Sequence, residues 1–233
     1  MTSLIVNPHP ALCGRSTDGR QRRADLLAEI NDGYVVTDDH LLTNVVDPDR
    51  VDVTLSPGAT TQRVIRPRVV INHTRSCTTR IGSPHLYVQT SGMIEQYLPF
   101  IRRARGSFDA DLWHHNGASW GAITHQTEDH DGRTGDGIVI DDEPWSGVQL
   151  DALVAATTAE CAVYGIAPDR AERWNDSGIG HHAQHPYGGA PAWSPAADEW
   201  CPGRARIAQM AEVHGRIAER LAAYRVAAGP TCH

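Results

Sequence analysis

The chain has 233 residues, enough for one well-filled core, with 40% hydrophobic residues and a formal charge of -7 at pH 7. That acidic balance leaves no basic stripe to displace counterions from phosphates, so nucleic acid is not an expected partner. All 21 basic residues are arginine, which excludes any mechanism needing a lysine as Schiff base, general acid or oxyanion donor.

Residues 1 to about 65 show weak periodicity and many Asp, Arg and Pro residues, with one helix predicted from Gln21 to Ile30. They read as an N-terminal extension packed on a main domain. Its first residues, Met1 to Pro8, lack the basic start and long apolar stretch of a secretory signal, and no apolar run is long enough to span a bilayer. Synthesis in the cytoplasm without a signal peptide, and no membrane insertion, are therefore expected.

From Arg66 the texture changes. Arg68-Val69-Val70-Ile71-Asn72 is a β-branched run of the kind that forms a buried strand. Further strands are predicted at His85–Gln89, Met93–Leu98 and Gly121–Glu128, with a hairpin turn at Thr90-Ser91-Gly92. Ser146 is placed to cap a helix running to about Tyr164, with Val148, Leu153, Val154, Thr157, Cys161 and Tyr164 inward and Gly165 at its end. Ile207, Met210, His214, Ile217, Leu221 and Tyr224 recur at helical spacing, which predicts an amphipathic helix over 204–226. Between these helices the stretch from Trp174 to Gly203, rich in Gly, Pro, Ala, His and Trp, reads as a functional loop. Residues 227–233 form a short tail.

Five cysteines, Cys13, Cys77, Cys161, Cys201 and Cys232, have no regular spacing, so no disulfide framework is expected. Cys161 fits a small buried hydrophobe within its helix. Cys201 sits instead in a Pro/Gly loop. With Asn72-His73-Thr74 and Gly180-His181-His182 it completes a set of two imidazoles and a thiolate, the borderline-soft donors that zinc prefers. Three protein ligands would leave a fourth position open, as hydrolytic rather than structural zinc sites do. His73 follows an apolar strand and can emerge at a sheet end, while the long loop can fold His181 and Cys201 toward it. The 13 histidines include a second His-His pair, His114-His115; His182 stands as the main alternative to His181, with His185 a further candidate.

The order of these motifs resembles the zinc-dependent N-acetylmuramoyl-L-alanine amidases, the peptidoglycan amidase family of phage endolysins and peptidoglycan recognition proteins. A strand ending in Asn-His-Thr is followed by Ser-Pro-His-Leu-Tyr-Val, a turn and Met-Ile-Glu-Gln-Tyr-Leu-Pro. Next come Trp-His-His-Asn-Gly-Ala-Ser, Gly-Ile-Gly-His-His and Cys-Pro-Gly-Arg, so the resemblance spans Arg66 to Tyr224. It implies an α/β domain at 66–226 with a central mixed sheet flanked by helices. It also implies one zinc held by His73, His181 and Cys201, and hydrolysis of the amide between muramic acid and L-alanine. Peptidoglycan is then the implied partner, and the bacterial cell wall the place of action. The arginine-only basic set resembles an endolysin from a phage of a high-GC actinobacterium.

Three departures from the family pattern bear on the chemistry. Pro84 precedes His85 where a tyrosine is common, Glu199 stands where a lysine often precedes the last ligand, and Gln126 falls at the position of a metal-facing glutamate. Strand alternation puts Gln126 and Glu128 on one face, so Glu128 is the leading general base and Glu199 the second candidate. His114 and Trp113 match the family's Trp-His step, where contact with the glycan or peptide is implied. A binding module that has lost catalysis, and a zinc peptidase cutting elsewhere in the wall, remain the alternatives.

Overall fold

A computed structural model describes residues 17–74, 84–104, 121–128, 143–172, 176–181 and 202–228. In chain order the elements are α1 (Thr17–Ile30), β1 (Tyr34–Val36), β2 (Leu42–Asn44), β3 (Val51–Val53), β4 (Val69–Thr74) and β5 (Leu86–Val88). They continue with β6 (Ile94–Gln96), β7 (Ala122–Thr127), α2 (Gly147–Tyr164), β8 (Gly178–His181) and α3 (Arg204–Ala228). Six strands form one sheet in the order β3-β6-β5-β7-β4-β8, and β1 and β2 form a separate antiparallel pair. Only β5 and β6, joined by the turn at Gly92 (φ +81°), pair antiparallel; the other neighbours are parallel, so the sheet is mixed.

One face of this sheet carries the main core. Val70, Leu86, Val88, Ile94, Ile123 and Ile179 pack against Leu150, Leu153 and Val154 of α2 and Met210, Val213, Ile217 and Leu221 of α3. Alternation along each strand sends every second side chain there, and burial removes these apolar surfaces from water. α2 starts where Ser146 Oγ accepts the Gln149 amide and stops at Gly165, whose positive φ of 69° suits a residue without Cβ. Helix α1 lies outside this layer, with Ala24 and Leu27 packed against Val35 and Tyr224. Among the described residues no helix is long and apolar enough to cross a membrane.

Several details differ from the sequence expectation. The segment read as an extension supplies β3, which pairs in parallel with β6 at the sheet edge. The long loop after Trp174 contains β8, paired with β4; its Gly-Ile-Gly sequence has no strand period, and the partner strand supplies the pattern. Val148, an inward position by helical spacing, is 50% exposed and leans on the turn at Gly92 from the first turn of α2. On α3 the buried stripe runs through Arg206, Met210, Val213, Ile217, Leu221 and Tyr224, while Ile207 and His214 flank it.

Gly178 begins β8 in a space with no room for a side chain. A Cβ there would lie 2.7 Å from Asp169 O and 2.8 Å from Ala171 N, both backbone atoms. The close approach arises because Ile179 donates to Asp169 O and accepts from the Ala171 amide. Gly178→Ala is therefore expected to destabilise the protein by roughly 1–3 kcal/mol in urea unfolding; an unchanged midpoint would show that the 169–171 segment yields freely.

Candidate functional site

Pairing register decides which side chains share a face. Across β4, β7, β5 and β6 one row reads His73, Gln126, Tyr87, Glu95. The adjacent row reads Asn72, His125, Leu86, Gln96, and on the other side of β4 Asn72 is paired with His181. Since Val70, Ile123 and Ile179 face α2 and α3, alternation directs Asn72, His125 and His181 to that side and the His73 row to the opposite one. Two contacts agree with this division. Asn72 Nδ2 reaches Met210 Sδ of α3 at 4.0 Å, and His125 Nε2 lies 2.8 Å from Glu160 Oε1 of α2.

The structure thus brings His73 and His181 to the same end of neighbouring parallel strands, and gives them opposite faces. His73 is 4% exposed near the end of β4. Cys201, Glu199, His114, Trp113, His182 and His185 lie outside the described residues. The chain just after Cys201 is described: Pro202 and Gly203 are buried, and α3 begins at Arg204. Arg206 then spans the end of β7, with Nη1 3.4 Å from Thr127 Oγ1 and Nη2 donating to Glu128 O at 3.2 Å. So β4, β7, β8 and the first turn of α3 converge on one sheet end. Among the described residues no group of three His, Cys, Asp or Glu side chains could hold a metal ion.

Glu128, just past β7, has one oxygen committed. Its Oε2 accepts from the Thr90 amide at 2.8 Å and the Thr90 hydroxyl at 3.0 Å, which ties it to the β5–β6 turn. Such charge-assisted bonds fix a carboxylate in place. Oε1 remains for other partners. Gln126, beside His73, is a neutral amide that can donate a hydrogen bond but cannot take up a proton at neutral pH.

Behind the sheet lies a polar layer that the sequence reading did not single out. His125 and Glu160 are both fully buried, and burial pushes the Glu160 carboxyl up against the opposing pull of His125. Asn72 Oδ1, His125 Nδ1 and Glu160 Oε2 have no hydrogen-bond partner among the described residues. Their signal was faint: Asn72 and His125 fall in phase with Val70 and Ile123 on their strands, which is legible only once register is known, and Glu160 lies within a helix of mostly apolar residues. Trp145 Nε1 donates to Thr127 Oγ1 at 3.0 Å and extends this layer.

His85, ahead of β5, is structural. Its Nε2–H donates to Arg102 O at 2.6 Å, and its Nδ1 accepts the Thr124 amide at 3.0 Å, so both ring nitrogens are used by the neutral tautomer.

No family model and no curated protein matches the chain. Among solved structures it is similar to the endolysin N-acetylmuramoyl-L-alanine amidase LysCS from Clostridium intestinale, at 14% identity over 72% of this chain and 95% of that one, with a TM-score of 0.46. It is similar to an AmpD derivative at 15% identity over 74% and 99% of the two chains, TM-score 0.44. A third likeness is to the hydrolase AmiA from Staphylococcus aureus, solved with its ligand, at 12% identity over 94% and 95%, TM-score 0.45.

Burial holds the His85 pKa down, from 6.5 to about 3, so the ring stays neutral in the fold while the unfolded chain protonates near 6.5. The stability His85 contributes is complete above pH 6.5 and is lost as pH falls toward 3, at up to about 1.4 kcal/mol per pH unit. Urea unfolding between pH 7 and pH 4 should show a shallower acid loss in His85→Asn than in the parent; equal slopes would mean that His85 titrates normally in the fold.

Proposed function

We propose that the chain is a zinc-dependent N-acetylmuramoyl-L-alanine amidase, cutting the amide between muramic acid and the first alanine of the peptidoglycan stem, and that it acts as a phage lysin on actinobacterial walls. The observation that carries this reading is the convergence of β4, β7, β8 and the start of α3 at one sheet end. It gathers there His73, the end of β8 at His181 and the chain that follows Cys201, the same segments whose sequence order resembles the amidases.

His73 and Cys201 would hold the zinc together with one imidazole of the His181–His182 pair. Register bears on that choice, because His181 shares the face of Asn72 rather than that of His73. When bound, zinc supplies a Lewis acid for the amide carbonyl and acidifies a water. The chain's own groups do the rest. Oε1 of Glu128 takes the proton from the attacking water while Oε2 stays anchored on Thr90, with Glu199 as the other candidate base. Gln126, next to His73, donates to the carbonyl oxygen as it gains charge. Trp113 and His114 contact the glycan or stem.

A second reading, a peptidoglycan-binding module without hydrolysis, is favoured by one observation: the residue beside His73 is the amide Gln126, which cannot serve as a base. Digestion of purified actinobacterial peptidoglycan separates the two. Chelator-sensitive release of intact stem peptides with free N-terminal alanine is expected, whereas binding without cleavage by the zinc-loaded protein supports the module.

Metal analysis of single variants tests the ligands. His73→Ala and Cys201→Ala should lose zinc, and comparison of His181→Ala with His182→Ala identifies the second imidazole as the one whose loss empties the protein. Full zinc in Cys201→Ala would remove the thiolate from the set. Glu128→Gln should keep its zinc and turn over on the order of 10²-fold more slowly; parental rates would restrict Glu128 to anchoring the turn.

A further inference from the structure

The formal charge of -7 conceals an uneven distribution along the chain, and the acidic total does not exclude a basic surface. From Thr54 to Phe108 there are eight arginines and a single acidic residue, Glu95. Folding brings Arg63, Arg66, Arg102 and Arg103 together where two short segments pair. Val64 and Arg102 form an antiparallel bridge, flanked by bonds of 2.8 Å from the Arg103 amide to Arg63 O and from the Ile65 amide to Ile101 O. In that register Arg63 stands directly opposite Arg103, with Cβ atoms about 5 Å apart, and like charges so placed repel. Ile65, 5% exposed, anchors the ribbon, while Val64 is 60% exposed and Arg63 and Arg66 are exposed beside it. Arg102 has a different part. Its Nη1 donates to Gln62 O at 3.0 Å, its carbonyl takes His85 Nε2–H, and it lies near His40 together with Asp38 and Asp39. The ribbon is also remote from the end of the sheet that bears His73. The Arg68 amide donates to Gly121 O just ahead of β7, and β4 runs from there to His73, five residues and roughly 16 Å farther on.

We infer that this ribbon is a docking surface for a phosphodiester-linked polymer of the bacterial wall, separate from the site that cuts the amide. Arg63 and Arg103 form its centre and Arg66 its flank, while Arg102 ties it to the body of the protein. The planar guanidinium fork matches phosphate oxygens two at a time, so two forks on opposed strands bracket one phosphate. An anion held there replaces the cross-strand repulsion with attraction to both side chains. It gives the opposed pair a role that folding alone does not supply. A thin, flexible polymer can bring single phosphates between side chains this close, whereas a long, stiff polyanion also meets the field of an acidic protein. The choice of a wall polymer rests on the amidase reading, because an enzyme that cuts the stem meets such polymers on the same surface. Attachment through the ribbon would hold the enzyme beside its substrate and raise the effective concentration of both.

The test titrates the full zinc-loaded chain with soluble poly(glycerol phosphate) at several salt concentrations. The logarithm of the binding constant should fall linearly with that of salt, with a slope of roughly -2 if three arginines neutralise phosphates. Arg63→Gln combined with Arg103→Gln should weaken binding about tenfold or more and cut the slope to roughly -0.7. Arg103→Lys keeps the charge but not the fork, so it should keep the slope and lose part of the affinity. Failure of the parent to bind at low salt overturns the docking surface, and so does a double variant that binds like the parent. A slope lost equally in Arg103→Lys and Arg103→Gln overturns it too, since that is the mark of a structural role. Tighter binding of duplex DNA than of poly(glycerol phosphate), at equal phosphate and salt, overturns the wall polymer in favour of nucleic acid. Hydrolysis of a soluble muramoyl peptide is scored separately, and the double variant should match the parent in kcat/KM. Polymer binding without hydrolysis sustains the docking surface and defeats the amidase reading, whereas hydrolysis without polymer binding does the reverse.

Discussion

The in-register parallel pairing of β4 with β7 on one side and β8 on the other is the constraint on which the rest of this structure depends. Because side chains alternate with a period of two, that pairing sorts the polar residues of the strand ends into two sets that cannot mix. Asn72, His125 and His181 go toward the helices; His73 and Gln126 go the other way. A slip of one residue in β8 would exchange His181 and its neighbour between the faces. What holds the register is the apolar part of the same strands, since Val70, Ile123 and Ile179 must all reach the core beneath α2 and α3.

That helix-facing side carries several buried polar groups. The His125–Glu160 pair, the Thr127 hydroxyl shared by Trp145 and Arg206, and Gln149 bound to Val88 O and Glu128 O all sit within or beside it. Buried polar groups are costly unless hydrogen-bonded, and removal of one partner leaves the other stranded. Most of these bonds converge on the C-terminal end of β7, the same end that bears Glu128. The layer thus fixes the position of that strand end relative to α2 and α3, much as supporting contacts fix the orientation of groups in a functional site.

On the opposite side the sheet presents a graded row: imidazole, amide, phenol and carboxylate from β4 to β6. The members come from four strands and are aligned by register alone. Glu128 belongs to both arrangements, its carboxylate holding the Thr90 turn and its backbone oxygen taking Arg206.

Much of the fold was legible in the sequence. The β-branched run at β4, the turn at Gly92, the Ser146 cap and the Gly165 stop of α2 each follow from local preferences of backbone and side chain. The identity of the polar strand-end residues was equally plain, and so was the soft-donor chemistry that makes His73, His181 and Cys201 candidate metal ligands. Sequence did not reveal β8, whose Gly-Ile-Gly has no pattern of its own, or the entry of β3 into the main sheet, because both depend on partners far along the chain. Nor did it reveal that His73 and His181 take opposite faces, or that Glu95 lies in the row of His73. Local chemistry determines which residues are present at a strand end and what they can bind; only long-range pairing decides which of them share a face, since alternation is relative to a register that no single strand contains.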